Sequence, residues 1–333
     1  MKKYKVAVVG ATGLVGTEIL KVLEERKFPI QGLIPLASER SLGKRVMFRE
    51  ESYDVRVLQP KEFEGVDFAL FSAGGSVSAQ FAPEAVKKGA VVIDNTSHFR
   101  MHDDVPLVVP EVNGEALKQH KGIIANPNCS TAQMVMVLKP LYEAAGIERI
   151  VISTYQSVSG AGNSAIEELE THTRMNLNGG VPTPKKFHYS ISFNCIPHID
   201  MFLENGYTKE EMKMINETRK ILGDDSIQIT ATTVRVPVFV GHSESVNIQT
   251  KKKLTVKQVR ELLEKMPGVT VMDDPAHNIY PTPKETAGQD DVFVGRIRED
   301  FSVKNGINLW IVADNLRKGA ALNAVQIAEA MMA

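Results

Sequence analysis

The opening stretch, "KVAVVGATGLVGTEILKVLEERK", constrains the fold most. An apolar, β-branched run meets Gly10, Gly13 and Gly16 and then gives way to a helical pattern. Val15, Ile19, Val22 and Leu23 fall at i, i+4, i+7 and i+8, one apolar face of a helix. A strand turning tightly into a helix is the opening unit of a doubly wound α/β sheet. Glycines at that junction let the backbone approach a pyrophosphate, and the helix N-terminus adds N–H groups and a positive dipole end. The spacing is GxxGxxG, not the GxGxxG of the common dinucleotide fingerprint, so a bare structural turn stays open as the alternative. The basic start followed by an apolar run also resembles a signal peptide. Thr12 and the glycines break the run, and no small-residue cleavage site precedes "EILKVLEERK", so strand–turn–helix explains the letters better.

The alternation continues through about the first 150 residues. "VDFALFSA", "AVVIDN", "LVVPEV" and "GIIAN" read as strands buried on both faces, and "SVSAQFAPEAVKKG" as a helix. Later runs alternate more: "RIVISTYQSVSG", "IQITATTVRVPVF", "ESVNIQTKK", "VTVMDD", "VFVGRIRED" and "NLWIVADN" predict an antiparallel or mixed sheet in a second domain. The tail, "KGAALNAVQIAEAMMA", returns to a helical pattern with Ala321, Val325, Ala328 and Met332 on one face. A chain of 333 residues has room for two cores. Its formal net charge of −1 shows no basic excess and excludes a nucleic-acid footprint. No apolar run reaches the length of a membrane span. The two cysteines, Cys129 and Cys195, make no disulfide framework and fit a reducing compartment, so a soluble, cytoplasmic protein is expected.

One of those cysteines lies in "IIANPNCST", where a strand over 122–125 runs into Asn126-Pro127-Asn128 and then a helix. Cys129 falls in the first helical turn, where the dipole and unpaired N–H groups favour a thiolate. Asn128 is a candidate N-cap, and Pro140 should kink or end the helix. A buried, inert cysteine is the common alternative, but the polar neighbours argue against it. Cys195, in "SFNCIPHID", is read as that inert kind. Of the eight histidines His242 stands out, because it closes "TTVRVPVFVGHSES": a strand, a glycine, then the histidine in a loop. Arg235, earlier on that strand, could present its guanidinium to a carboxylate. No clustered His/Cys spacing makes a metal site.

The second strand should end near "LIPLASERSLGK". An NAD site puts an acidic side chain about 20 residues past the glycines. Glu39 could serve there, whereas Ser38 and Arg40, with Lys44 nearby, could take a 2′-phosphate; a solvated charged loop is the third reading. If the segment stays extended, Ser38 and Arg40 share one side and Glu39 faces away, which favours NADP.

"GATGLVG", "NPNCST", "YQSVSGAG", "NETRKIL", "RVPVFVGHSE" and "DNLRKGAALNAVQIAE" together resemble the aspartate-semialdehyde dehydrogenase family over essentially the whole chain. The resemblance implies reduction of L-aspartyl 4-phosphate by NADPH to L-aspartate 4-semialdehyde and phosphate, a step of lysine, threonine and methionine biosynthesis. It implies Cys129 as nucleophile, His242 as general acid/base and Gln156 as the group that orients the intermediate. It implies Arg235 on the α-carboxylate, Glu217 on the ammonium, and Arg100, Asn128 and Lys220 on the phosphate. Without the resemblance, Glu217 and Lys220 would pass for a surface ion pair. The expected cofactor set is Gly10, Thr12, Gly13, Leu14, Val15, Gly16, Ser38, Arg40 and Ser72, with Ser159, Gly160 and Asn315 implied by the family. The domains expected are a Rossmann-like, NADP-binding parallel-sheet domain over 1–128, completed by a C-terminal helix over 315–333. An α+β catalytic and dimerisation domain with a mixed sheet spans 129–314, and a homodimer, in some members a tetramer, is implied. The rivals are another acyl-phosphate reductase, such as N-acetyl-glutamyl-phosphate reductase, and an inactive NADP-binding homologue. "NCST" and the Glu217/Arg235 pair argue against the first, and the presence of both cysteine and histidine against the second.

Overall fold

A computed structural model describes residues 2–332. By internal contacts the chain divides into two units. One comprises the residues up to Asn128 and those from Ala320 onward; the other is Cys129–Gly319.

In the first unit β1 (Tyr4–Val9) leads through α1 (Leu14–Glu25) to β2 (Ile30–Ala37). A hairpin follows, β3 (Arg45–Phe48) and β4 (Glu51–Asp54), and then β5 (Arg56–Val57), β6 (Phe68–Phe71), α2 (Gly75–Lys87) and β7 (Val91–Asp94). After the short α3 (Pro110–Asn113) comes β8 (Ile123–Ala125). The main sheet runs β5-β2-β1-β6-β7-β8, parallel throughout. β6 and most of β1, β2 and β7 are buried, as their continuous apolar runs require. Strand order reverses between β1 and β6, so their C-terminal ends form a topological switch point, the usual ligand crevice of such sheets.

The glycine turn works by contact as well as by conformation. Gly10 has φ +89°. A Cβ on Gly16 would sit 2.1 Å from Gly10 O. α1 therefore packs backbone to backbone on the turn, and Ile19, Val22 and Leu23 are buried beneath it while Val15 is half-buried.

"LVVPEV" is not a strand. Leu107 makes a lone bridge to Ala125, and Pro110, which has no N–H for a ladder, opens α3 instead.

The second unit begins with α4 (Cys129–Ala145), which passes Pro140 and ends five residues later. Residues 130–138 are buried throughout, and the helix packs on strands and on two helices of its own unit, which holds it together across the proline. Next come β9 (Ile147–Gln156), α5 (Asn163–Leu177), α6 (Lys209–Leu222), β10 (Gln228–Arg235), β11 (His242–Thr250), α7 (Val256–Leu263), β12 (Val269–Val271), the short α8 (Pro283–Thr286), β13 (Val292–Asp300) and β14 (Gly306–Ala313). Their sheet, β10-β9-β11-β14-β13-β12, is mixed, with parallel pairs at both edges and antiparallel pairs between.

A π-helical turn, Arg317–Ala321, leads into α9 (Leu322–Ala330), whose Leu322, Val325 and Ile327 join the first unit's core. Asn323 Nδ2 donates to Val108 O and Asn126 Oδ1, at 2.9 and 2.6 Å. The tail rejoins the first unit at Ala320, not at 315: Asn315 is held in the second unit by Ser157, Ser159 and Gly241. No helix among the described residues is long and apolar enough to cross a membrane.

The close approach at Gly16 makes a direct prediction. Gly16→Ala should lower stability by about 1–3 kcal/mol, because backbone atoms must move to admit the methyl group. A urea midpoint equal to wild type would show that α1 can slide away freely.

Candidate active site

In the first unit a cleft of about 910 Å³ opens at the switch point, lined in part by Gly10, Thr12, Gly13, Ser38, Arg40 and Ser72. Ser72 follows β6; its N–H and Oγ both donate to Val9 O, which fixes it beside Gly10. A Cβ on Gly10 would lie 2.9 Å from Ser72 Oγ, so only glycine leaves this floor open. No side chain caps the N-terminus of α1 at Gly13. A bare turn, an uncapped helix start and a concave cleft are what a pyrophosphate needs, so these residues fit a dinucleotide. Leu14, Val15 and Gly16 form the first turn of that helix.

The rim differs from the extended segment expected. β2 stops at Ala37, and Glu39–Ser41 curl into a single 3-10 turn closed by Ser41 N–H to Ser38 O and Leu42 N–H to Glu39 O. Ser41 is buried and its Oγ lies 3.1 Å from Thr12 Oγ1, which pins the turn to the glycine loop. Alternation therefore does not apply, and Glu39 lines the cleft along with Ser38, Arg40 and Lys44.

Also in the first unit, Arg100 is 7% exposed, with Nε donating to Asn126 O at 2.8 Å and Nη2 to Asn95 O at 2.7 Å. It is thus fixed to the segment that carries Asn128, itself buried at the position just before α4.

In the second unit Gln156, Arg235 and His242 gather at one end of the sheet. β9 ends at Gln156 beside the end of β10 at Arg235, and antiparallel β11 starts there with His242. His242 was expected in a loop. It opens the strand instead, because Gly241, at φ +94° and donating its N–H to Asn315 Oδ1, turns the chain immediately before it. Ser157 links the group. Its carbonyl accepts from Arg235 Nη1 at 2.6 Å, and its N–H donates to His242 Nδ1 at 3.1 Å. Since Nδ1 must accept, the neutral ring carries its proton on Nε2, and that buried atom has no hydrogen-bond partner among the described residues. A Cβ on Gly160 would stand 3.2 Å from both His242 Nε2 and Arg235 Nη1. Gly160 thus leaves the space into which those two groups point.

Burial, and then the charge of Arg235, push His242 down to about 3. Burial likewise lowers Arg235, while the charges of Glu210 and Cys129 hold it up. Cys129 is half-buried in the first turn of α4, and Gly319 packs so close that a Cβ there would lie 2.6 Å from Cys129 Cβ. Gln156 is held by Thr154 Oγ1, which donates to Oε1, and by its own donation from Nε2 to Glu210 Oε1. α6 starts at a capping box, Thr208 with Glu211, and Glu210, Glu217 and Lys220 follow along it; Glu217 is buried and Lys220 half-buried. Ser159 Oγ and Asn315 hydrogen-bond each other, and both residues are buried. A second cleft, of about 490 Å³, reaches Arg235 past Ala161, Lys186, His198 and Phe202.

Ser157, Glu210 and Gly319 escaped the sequence reading. Ser157 acts through its main chain, Glu210 sits in an ordinary-looking charged helix start, and Gly319 has only "RKGAA" as a signal. Cys195, read as a buried inert cysteine, is exposed.

His242 makes acid stability testable. Below its ordinary 6.5 the unfolded chain binds a proton that the folded one refuses until about pH 3, so stability falls with pH across that window. The slope from this residue should reach up to about 1.4 kcal/mol per pH unit, and His242→Asn should remove it. Equal acid slopes for the two proteins in denaturant titrations would mean His242 is not buried as the neutral ring.

Comparison with known proteins adds independent findings. A family model described as semialdehyde dehydrogenase, NAD binding domain, matches residues 5–120, and one described as semialdehyde dehydrogenase, dimerisation domain, matches 138–318. An aspartate-semialdehyde dehydrogenase of Aquifex aeolicus is 56% identical, covering 99% of this chain and 98% of its own. The crystal structure of aspartate semialdehyde dehydrogenase II of Vibrio cholerae, complexed with ASA, is 52% identical with a TM-score of 0.96, covering 100% of this chain and 99% of that one. That of aspartate semialdehyde dehydrogenase with NADP from Candida albicans is 26% identical with a TM-score of 0.79, at 100% and 99% coverage.

Proposed function

Because the chain belongs to the aspartate-semialdehyde dehydrogenase family, an oxidoreductase family with a nicotinamide-binding domain, we propose that it reduces L-aspartyl 4-phosphate to L-aspartate 4-semialdehyde through a thioester on Cys129, with NADPH as reductant. The observation that carries this reading is the arrangement around Ser157. A buried guanidinium and an unpartnered His242 Nε2 point into the space left by Gly160, and Cys129 acts on the same guanidinium.

The residue roles are those the family resemblance implies, and the arrangement around Ser157 supports those of Arg235 and His242. At the start of α4, N–H groups and dipole stabilise negative charge on the Cys129 sulfur. The sulfur attacks the acyl carbon, the bond to phosphate oxygen breaks, and the leaving phosphate takes the electron pair. Arg235 grips the substrate α-carboxylate with a planar fork already aimed by Ser157 O. Glu217 takes the ammonium, while Lys220, Arg100 and Asn128 take the phosphate. Gln156, fixed by Thr154 and Glu210, orients the acyl group on Cys129. His242 holds a proton on Nε2 and exchanges it with the substrate oxygen as charge forms and collapses there. A nicotinamide cofactor, when bound, supplies the hydride. Gly10, Thr12, Gly13, Leu14, Val15, Gly16 and Ser72 would hold its pyrophosphate half, and Ser159, Gly160 and Asn315 would support the nicotinamide side.

The choice of NADP rests on the rim. Arg40 and Lys44 line the cleft against one anion, Glu39, and Ser38 adds a hydroxyl, so a 2′-phosphate meets two cations for one carboxylate. The reading extends to a cytoplasmic homodimer joined through the dimerisation domain, pairing into a tetramer in some members. Tyr155 and Trp310, packed at 5.5 Å, are partly exposed on that domain's sheet and suit such a contact.

Two experiments test the proposal. Cys129→Ala should abolish turnover, measured backwards from the semialdehyde with phosphate and NADP, while NADPH still binds by fluorescence titration. Near-normal turnover in that variant would end the covalent mechanism. Arg40→Ala should shrink the preference for NADP over NAD in kcat/KM by about tenfold, the worth of one charged contact. A preference that ignores Arg40, or an enzyme that favours NAD, would reverse the reading of the rim.

A further inference from the structure

Two residues beyond His242 on β11 lies Glu244, with no exposed surface. Side chains alternate along a strand, so Glu244 and His242 share a face. Neither carboxyl oxygen has a hydrogen-bond partner at good geometry among the described residues, and neither does Gln133 Oε1. The hydrogen-bonding side chains set against the carboxyl are Gln133 and Ser130, both in the opening turns of α4. Gln133 already donates through Nε2 to His242 O at 3.3 Å. Across the sheet Glu244 is paired with Thr154 on β9 and Ile311 on β14, and no lysine or arginine acts on it.

A carboxylate here would be a charge sealed from water with no cation beside it. Burial instead pushes the acid well above the usual carboxylate range, despite the opposing pull of Gln133 and Ser130, and so favours its neutral form. A protonated carboxyl has one O–H to give, and Gln133 Oε1 is an acceptor in want of a donor.

We propose that Glu244 is a positioning residue: its neutral acid donates to Gln133 Oε1 and ties the helical turn that carries Cys129 to the strand that starts with His242. The Gln133 amide then spans two points of β11, His242 O through Nε2 and Glu244 through Oε1. Nucleophile and acid/base are held in register by one buried side chain that touches neither substrate nor cofactor. The inference rests on the roles given above to Cys129 and His242.

The test compares the wild type with Glu244→Gln and Glu244→Leu. Glutamine keeps a donor of the same reach and cannot ionise, so kcat should stay within about threefold of wild type. Leucine removes the donor, so kcat should fall about tenfold or more while KM moves by less than about threefold. Infrared spectra at neutral pH should contain a protonated-carboxyl C=O band that Glu244→Gln lacks. Loss of activity in glutamine equal to that in leucine, or wild-type kcat in leucine, would overturn the proposal. So would an infrared spectrum unchanged by Glu244→Gln, a result that stands even if the leucine variant does not fold. The infrared arm does not involve Cys129, so its failure falls on Glu244 alone and leaves the covalent mechanism to the Cys129→Ala assay.

Discussion

The pairing of Arg235 with His242 in the second unit depends on Ser157, chiefly on its main chain. Its carbonyl holds Arg235, its N–H sets the tautomer of His242, and its Oγ reaches Asn315. Using backbone for this has a physical advantage. A side chain can change rotamer, but a carbonyl and an N–H one residue past the end of β9 are fixed by the sheet ladder itself. The site inherits the rigidity of three hydrogen-bonded strands.

That anchoring sets the electrostatics. A cation close to His242 makes a second positive charge there costly, and burial adds to the cost, so the ring stays neutral. Glu210 supplies the balancing negative charge and is itself tied to Lys213, which also holds Asp200. A chain of alternating charges thus runs from Arg235 through Glu210 and Lys213 to Asp200.

What could be read from the sequence was what the chain writes locally. The parallel sheet followed from continuous apolar runs, and the glycine turn from a spacing that only close backbone packing requires, as the contact between Gly16 and Gly10 shows. The start of α4 was legible because Asn-Pro-Asn cannot continue a strand. What could not be read was non-local. Alternation failed at Ser38–Arg40 because a 3-10 turn is pinned by Ser41 to Thr12, twenty-nine residues away. Asn315 was grouped with the tail because nothing beside it announces partners at Ser157 and Gly241. The carbonyl and N–H of Ser157 are common to nearly all residues, so no letter could mark them.

The close packing of Gly319 on Cys129 has a topological consequence. Cys129 opens the second unit and Gly319 closes it, so the whole unit is an insert whose two ends touch. To the first unit the insert looks like a loop whose ends have already been brought together, so its length adds nothing to the closure entropy once it has folded. The first unit can keep an almost ordinary doubly wound topology around a large excursion of chain. A module built this way can be exchanged or enlarged without disturbing its host, provided its first and last residues still meet.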